Sequence, residues 1–228
     1  RMNAPDSARG PDSPRGHAHA VLIRAVSEAL GHGPAELAVT HRCPRCGATN
    51  HGIPSLTHRG RPLSLAVSIS RAPGLAVVGW GSVVALGVDI ERAEAAADPA
   101  LNAVLLHPAE PVPADADERT QAWVRKEAAL KAWGSGLSVE PSRVLVTNDI
   151  ATIDVAAIRA AAIDVAAIGA ATADAPPIDN LAPVCLINVD IPGYQACVAR
   201  RLGEQASGPG QPGRRRRTWN DERAKRRK

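Results

Sequence analysis

An α+β fold is what this chain of 228 residues predicts, on three observations. Short alternating or β-branched runs at 63–91 and 185–199 are joined by only a few residues each, the pattern of antiparallel hairpins. Two stretches, 19–30 and about 120–133, carry helical spacing or helix-forming residues and end at glycine. An apolar content of 45% is enough for a core, although with no Phe, four Trp and one Tyr that core must be filled by Ala, Val, Leu and Ile.

Taken in order, residues 1–17 mix Pro, Gly, Ser and charge without an apolar period and are expected to be disordered. An amphipathic helix follows at His19–Leu30, with Val21, Leu22, Ala25, Val26, Ala29 and Leu30 at helical spacing and Gly31 as its stop. Pro34–Leu37 reads as a turn and Leu37–Thr40 as a short strand. Leu63–Ser70 and Leu75–Trp80 flank the turn Arg71-Ala-Pro-Gly74, and with 82–91 they predict a three-stranded meander. Residues 92–104 are Ala-rich and helix-like, and His107-Pro-Ala-Glu110 opens another element. The helix from about Thr120 comes next, then a strand at Arg143–Thr147. Ile153-Asp-Val-Ala-Ala-Ile158 recurs as Ile163–Ile168, a duplication too short for a solenoid and read as an expanded surface loop. Cys185–Asp190 and Tyr194–Ala199 predict a closing hairpin.

Charge sits unevenly along the chain. The 27 Lys and Arg exceed the 23 Asp and Glu by four, yet residues 214–228 hold nine of the bases and two of the acids, which leaves 18 against 21 elsewhere. A basic excess confined to the tail does not make the body a nucleic-acid binder, so no nucleic-acid partner is expected. Neither a signal peptide nor an apolar run of eighteen residues is present, so a cytoplasmic protein with no membrane partner is expected. In that compartment Cys43, Cys46, Cys185 and Cys197 are free thiols or metal ligands sooner than disulfides. Cys43-Pro-Arg-Cys46 has the spacing of half a zinc knuckle, with His41 and His51 near enough to complete four ligands. The plainer reading, a turn with two reduced thiols, is preferred because no second C-x-x-C exists.

Two stretches carry the chemistry. On the strand Val83–Glu91, alternation puts Asp89 and Glu91 on one face and Val88 and Ile90 on the other. On the helix Trp123-Val-Arg-Lys-Glu-Ala-Ala-Leu-Lys131, Trp123, Glu127 and Lys131 recur every four residues and share one stripe. Three carboxylates could hold one hard cation such as Mg²⁺, with Lys131 beside it for phosphate. Singly, Glu127 and Lys131 would pass for a surface ion pair and Asp89 and Glu91 for a strand end. Trp123, Trp133 and Trp80 are expected to be core fillers, and Lys126 is expected to face solvent or a partner.

Together, Gly87-Val-Asp-Ile-Glu91 and Trp123-x-x-Lys-Glu-Ala-x-x-Lys131 resemble the two signature motifs of the 4′-phosphopantetheinyl transferases of the surfactin-synthetase-activating type. Cys43-Pro-Arg-Cys-Gly47 with His51-Gly-Ile-Pro54 is similar to the Cys-rich turn and His-Gly-Lys/Arg-Pro of bacterial members. The resemblance covers about residues 22–200 and implies a two-lobed α+β protein, each lobe a small antiparallel sheet with helices, related by pseudo-symmetry. It divides the chain into a disordered 1–17, a first lobe 18–91, a second lobe 92–202 with a low-complexity insertion at about 151–180, and a disordered basic tail 203–228.

The activity it implies is transfer of the phosphopantetheine arm of coenzyme A to a serine of an apo acyl or peptidyl carrier protein, releasing adenosine 3′,5′-bisphosphate, in polyketide or nonribosomal peptide synthesis. Asp89, Glu91 and Glu127 would hold Mg²⁺, Glu127 would serve as the base, and Lys131 would bind phosphate. Ser70 and Arg71 would contact coenzyme A, and the protein would act as a monomer. The sequence departs from the family pattern at Arg71, where a histidine is usual, at Ile53, where a basic residue is usual, and in a shortened N-terminus. Alternatives left open are a degenerate inactive homologue, a zinc-knuckle nucleic-acid-binding module and a Mg²⁺-dependent nuclease.

Overall fold

The computed structural model describes residues 13–43, 46–153 and 182–201. It begins with a helix, α1, at Pro14–Leu30. Ser13 caps that helix, its hydroxyl accepting from Gly16 N at 3.0 Å, and Pro14 sits at the first helical position, where a missing N–H costs nothing. Residues 14–17, expected to be disordered, are therefore the helix's first turn. Gly31 ends it with φ 71°.

Leu22 and Val26 of α1 pack with Leu37, Leu56 and Val67 in one of two cores. Around them lie β1 (Leu37–Arg42), β2 (Ile53–His58) and the two-residue β3 (Arg61–Pro62) as an antiparallel sheet. A hairpin of β4 (Ala66–Ala72) and β5 (Leu75–Gly81) follows, as the turn at 71–74 predicts.

The expected meander stops there. β6 (Ala85–Arg92) has its ladder with β10 (Tyr194–Arg201), which places Asp89 opposite Cys197. β10 pairs with β9 (Val184–Ile191) in the closing hairpin, and β8 (Ile150–Ile153) and β7 (Val144–Thr147) complete a five-stranded antiparallel sheet in the order β6-β10-β9-β8-β7. Side chains explain why β4 and β5 do not extend it. Ser68 Oγ of β4 takes the Val88 N–H at 2.9 Å, and Val88 Cγ1 fills the space above Gly79, only 2.7 Å from where a Cβ would stand. The hairpin thus meets β6 through side chains and not through a backbone ladder.

Residues 92–104 do not form the expected helix. After a turn they make a single 3-10 turn at Pro99–Leu101 and a four-residue helix α2 (Asn102–Leu105). Pro99 cannot donate within a helix, and the next helix draws the segment across itself. Arg119 donates to Ala96 O and to Asn102 Oδ1, each at 2.9 Å, while Ala96 N donates to Thr120 Oγ1 at 3.0 Å.

That next helix, α3, spans Ala116–Ala132 and starts before the expected Thr120, because Asp115 caps it by accepting from Glu118 N at 2.8 Å. Val124, Ala128, Leu130 and Trp133 form the second core with Val144, Val184 and Leu186. Apart from Ile153, the duplicated segment lies outside the described residues, as do residues 1–12 and the basic tail. No helix among the described residues is long and apolar enough to cross a membrane.

Candidate active site

Gly87 decides how closely α3 approaches β6. A Cβ on it would stand 1.9 Å from Ala128 O and 2.6 Å from Ala132 N, so a side chain of any size would push the helix off the strand. The small Ala128 and Ala132 on the facing turn serve the same approach. Alternation then sends Asp89 and Glu91 to the helix side of β6. The stripe of Trp123, Glu127 and Lys131 meets them, and a cleft of about 430 Å³ is lined by these residues together with Ser70 and Arg71 of β4. Every residue singled out for the site from sequence reaches this one cleft.

Asp89 is its hub, with 4% of its surface exposed. Its Oδ1 accepts from Ser70 Oγ at 2.7 Å and from Lys131 Nζ at 2.5 Å. Lys131 also donates to Ser70 Oγ at 3.1 Å and to Val88 O at 3.2 Å. The other carboxylate atoms are less well served. Asp89 Oδ2 and Glu127 Oε1 are buried and have no hydrogen-bond partner among the described residues. Burial, followed by the neighbouring Asp89 charge, pushes the Glu127 and Glu91 carboxyls above their usual range, against the opposing pull of Lys131. An orphaned carboxylate oxygen inside a protein is costly. Three acids converging on one ammonium therefore have room for more positive charge.

A second cavity, of about 210 Å³, adjoins the cleft, since Ile69 and Arg71 line both. It is basic, with Arg15, His19, His41, His51 and Arg71 in its wall. His19 and His41 stack with ring centroids 5.0 Å apart and their Nε2 atoms at 2.9 Å. Burial first, with the surrounding cations adding, lowers the pKa of both below the usual histidine value. Arg15 escaped the sequence reading because the expected helix began after it, at His19, and His19 itself stood in that helix without a pattern to single it out. The pair Ser13-Pro14 was the available signal.

Ile53, in the place of an expected basic residue, is 46% exposed and brings no charge to this cavity. It leans instead toward the end of α3, its Cδ1 lying 3.1 Å from where a Cβ on Gly134 would stand.

Two assignments change. Lys126, expected at the surface, is 1% exposed. Its Nζ donates to Glu110 Oε2 at 2.5 Å, Leu105 O at 2.7 Å and Pro141 O at 3.2 Å. Its partners come from loops distant in sequence, so helical spacing alone could not reveal them. His41, offered as a fourth ligand beside Cys43 and Cys46, turns away to His19 and to Gly52 O, 3.2 Å from its Nδ1. Trp133 is a core residue as expected, with its indole N–H bonded to Ala182 O at 2.9 Å. Trp123 is half-buried, packs on the second core and also lines the cleft.

Residues 85–170 match the family model of the 4′-phosphopantetheinyl transferase superfamily. The match takes in β6 and α3, and so Asp89, Glu91, Glu127 and Lys131 of the acidic half of the cleft. The superfamily match does not extend to Ser70, Arg71 or the basic cavity. No curated protein matches the chain.

Proposed function

We propose that this protein transfers the 4′-phosphopantetheine arm of coenzyme A to a serine of an apo acyl or peptidyl carrier protein, releasing adenosine 3′,5′-bisphosphate. The observation that carries the proposal is the junction of an acidic cleft with a basic cavity across Ile69 and Arg71. Such a junction suits a substrate with a nucleotide phosphate at one end and a reacting pyrophosphate at the other.

The donor set fits Mg²⁺. Asp89, Glu91 and Glu127 offer hard oxygen ligands, and Asp89 Oδ2 and Glu127 Oε1 stand buried without partners among the described residues. Bound there, the ion would neutralise the pyrophosphate oxygens and the leaving group. The chain's own groups do the rest. Arg71, with Arg15 and the two stacked histidines, binds the nucleotide phosphates and fixes the substrate's register. Ser70 orients Asp89 through its hydroxyl and contacts the substrate at the seam of the two cavities. Lys131, held at the cleft by Asp89 and Val88 O, offers its ammonium to the phosphate that departs with the nucleoside. Glu127 takes the proton from the carrier serine. Its carboxyl, raised by burial and then by the Asp89 charge, is a better proton acceptor than an exposed one.

We also assign the chain to the surfactin-synthetase-activating subtype, serving polyketide or nonribosomal peptide carriers as a cytoplasmic monomer. The two-lobed, pseudo-symmetric description is supported by two 17-residue helices, each capped at its N-terminus and each laid on its own antiparallel strands over a separate core. The free thiols of Cys185 and Cys197 suit a reducing compartment.

The test is to incubate the protein with coenzyme A, Mg²⁺ and a set of apo carriers and read the carriers by intact mass. Addition of the arm on serine is expected. Lack of modification across the set, with no binding of coenzyme A by calorimetry, would sink the transferase proposal.

A further inference from the structure

The connection between β1 and β2 is long, and little apolar surface holds it down. Residues 46–51, Cys-Gly-Ala-Thr-Asn-His, contain no large hydrophobic side chain, and all but Ala48 are glycine, ligand-type or small polar residues. Its fold is nonetheless specific. Cys43 N donates to Ala48 O at 2.8 Å and Gly47 N to Cys43 O at 2.9 Å, with Gly47 at φ 69° closing the turn. At the far end Gly52, at φ 99°, packs so close that a Cβ would stand 2.4 Å from Arg42 O. The turn brings the ligand atoms of Cys43, Cys46 and His51 within 4.8 Å of one another.

We infer that Cys43, Cys46 and His51 bind one zinc ion, which staples the β1–β2 connection over the basic cavity. The three donors are two thiolates and an imidazole, a soft set that selects zinc over Mg²⁺. Their spacing is close to what the ion demands. With zinc–sulfur and zinc–nitrogen bonds of about 2.3 and 2.1 Å, a tetrahedral edge is about 3.6 Å, and Cys46 Sγ already lies 3.4 Å from His51 Nε2.

The support behind the histidine is also in place. His51 Nδ1 donates to Asn50 Oδ1 at 2.7 Å, which puts the ring proton on Nδ1 and leaves the Nε2 lone pair for the metal. Cys43 is buried while Cys46 and His51 are exposed, so the fourth position opens to solvent and takes a water. On binding, both thiols lose their protons to the buffer and ligate as thiolates. Because His51 also lines the basic cavity, the ion fixes part of that cavity's wall.

The full chain, purified under reducing conditions and dialysed, is tested by elemental analysis and by replacing the metal with Co²⁺. About one zinc per chain and a near-ultraviolet thiolate-to-cobalt charge-transfer band are expected. Cys46→Ser and His51→Gln each lose at least tenfold in zinc affinity, and Cys185→Ser, at an exposed cysteine elsewhere, keeps the ion. A strong chelator lowers the thermal midpoint of the parent protein and leaves that of Cys46→Ser unchanged. Absence of zinc from the parent, zinc retained equally by both ligand variants, or a cobalt spectrum without the thiolate band overturns the inference. The last result would move the ion to histidines alone, such as the stacked pair.

Discussion

Helix α3 carries two lysines five positions apart, Lys126 buried and Lys131 half-buried, whose polar surroundings differ. Around Lys126 the charge is answered. Its ammonium meets Glu110 Oε2 and two backbone carbonyls, and Glu110 also accepts from Val146 N at 2.8 Å and from His107 N at 2.9 Å. Around Lys131 the acids outnumber the base, and Asp89 Oδ2 and Glu127 Oε1 have no partner among the described residues. A closed polar network pins loops to a helix, whereas an open one is left incomplete for something that arrives from outside. The same helix thus holds a lysine closed into the fold and, on the proposed function, one that serves the cleft.

The contrast breaks most sharply at Asp89. Replacing it with Asn keeps the shape and removes the charge that organises Lys131, Ser70 and the proposed metal position. Transfer should fall by about 10²–10³-fold, judged against removal of a single stabilising group in other enzymes. The thermal midpoint should hold or rise, since a buried acid with an orphaned oxygen is gone. Steady-state transfer and calorimetry of one preparation check this, and a collapse in stability would put Asp89 with the structural network instead.

Glu110→Gln probes the opposite member. It leaves the Lys126 ammonium buried without a carboxylate and should cost about 3–5 kcal/mol of stability, read as a shift in denaturation midpoint. Transfer per folded molecule should be preserved, because Glu110 does not line the cleft. Gly87→Ala touches both properties at once. The added methyl collides with Ala128 O, so α3 must retreat, with an expected loss of about 1–3 kcal/mol and a drop in transfer larger than that loss explains.

How much of this was legible in sequence follows the range of the interactions. Asp89 and Glu91 at period two, and Trp123, Glu127 and Lys131 at period four, are local patterns, and they met in one cleft. The β4–β5 and β9–β10 hairpins are local too. What failed was set by distant parts of the chain. β6 left its sequence neighbour for β10, a hundred residues on, because Ser68 and Val88 fill its other edge with side chains. Lys126 was buried by Leu105, Glu110 and Pro141, none of which its helical neighbours announce. Residues 92–104 obeyed Arg119 and Thr120 over their own alanines. Arg15 is the exception, a local signal overlooked, since Ser13 and Pro14 mark a helix start within a Pro-rich stretch.

The smallest expected effect is also the most discriminating, because it depends on sign. Glu91 and Glu127 have carboxyls raised in the folded protein by burial and by Asp89. A raised acid binds its proton more tightly folded than unfolded, so the protein gains from it at low pH. That gain is lost as pH climbs through the unfolded value toward the raised one. At a pH above the raised values both groups are ionised and weigh against folding. Glu127→Gln should then stabilise the metal-free protein by about 1 kcal/mol, the range typical of relieving a functional site, and the difference should shrink toward pH 5. Mg²⁺ should reverse the order. It stabilises the parent at pH 8 by offsetting the acids' repulsion, does so less at pH 5, where protons compete for the same oxygens, and does little for the Gln variant. Thermal midpoints with and without Mg²⁺ at the two pH values measure all of this. A Gln variant less stable than the parent at pH 8 would mean that Glu127 belongs with Glu110 among the acids that hold the fold together.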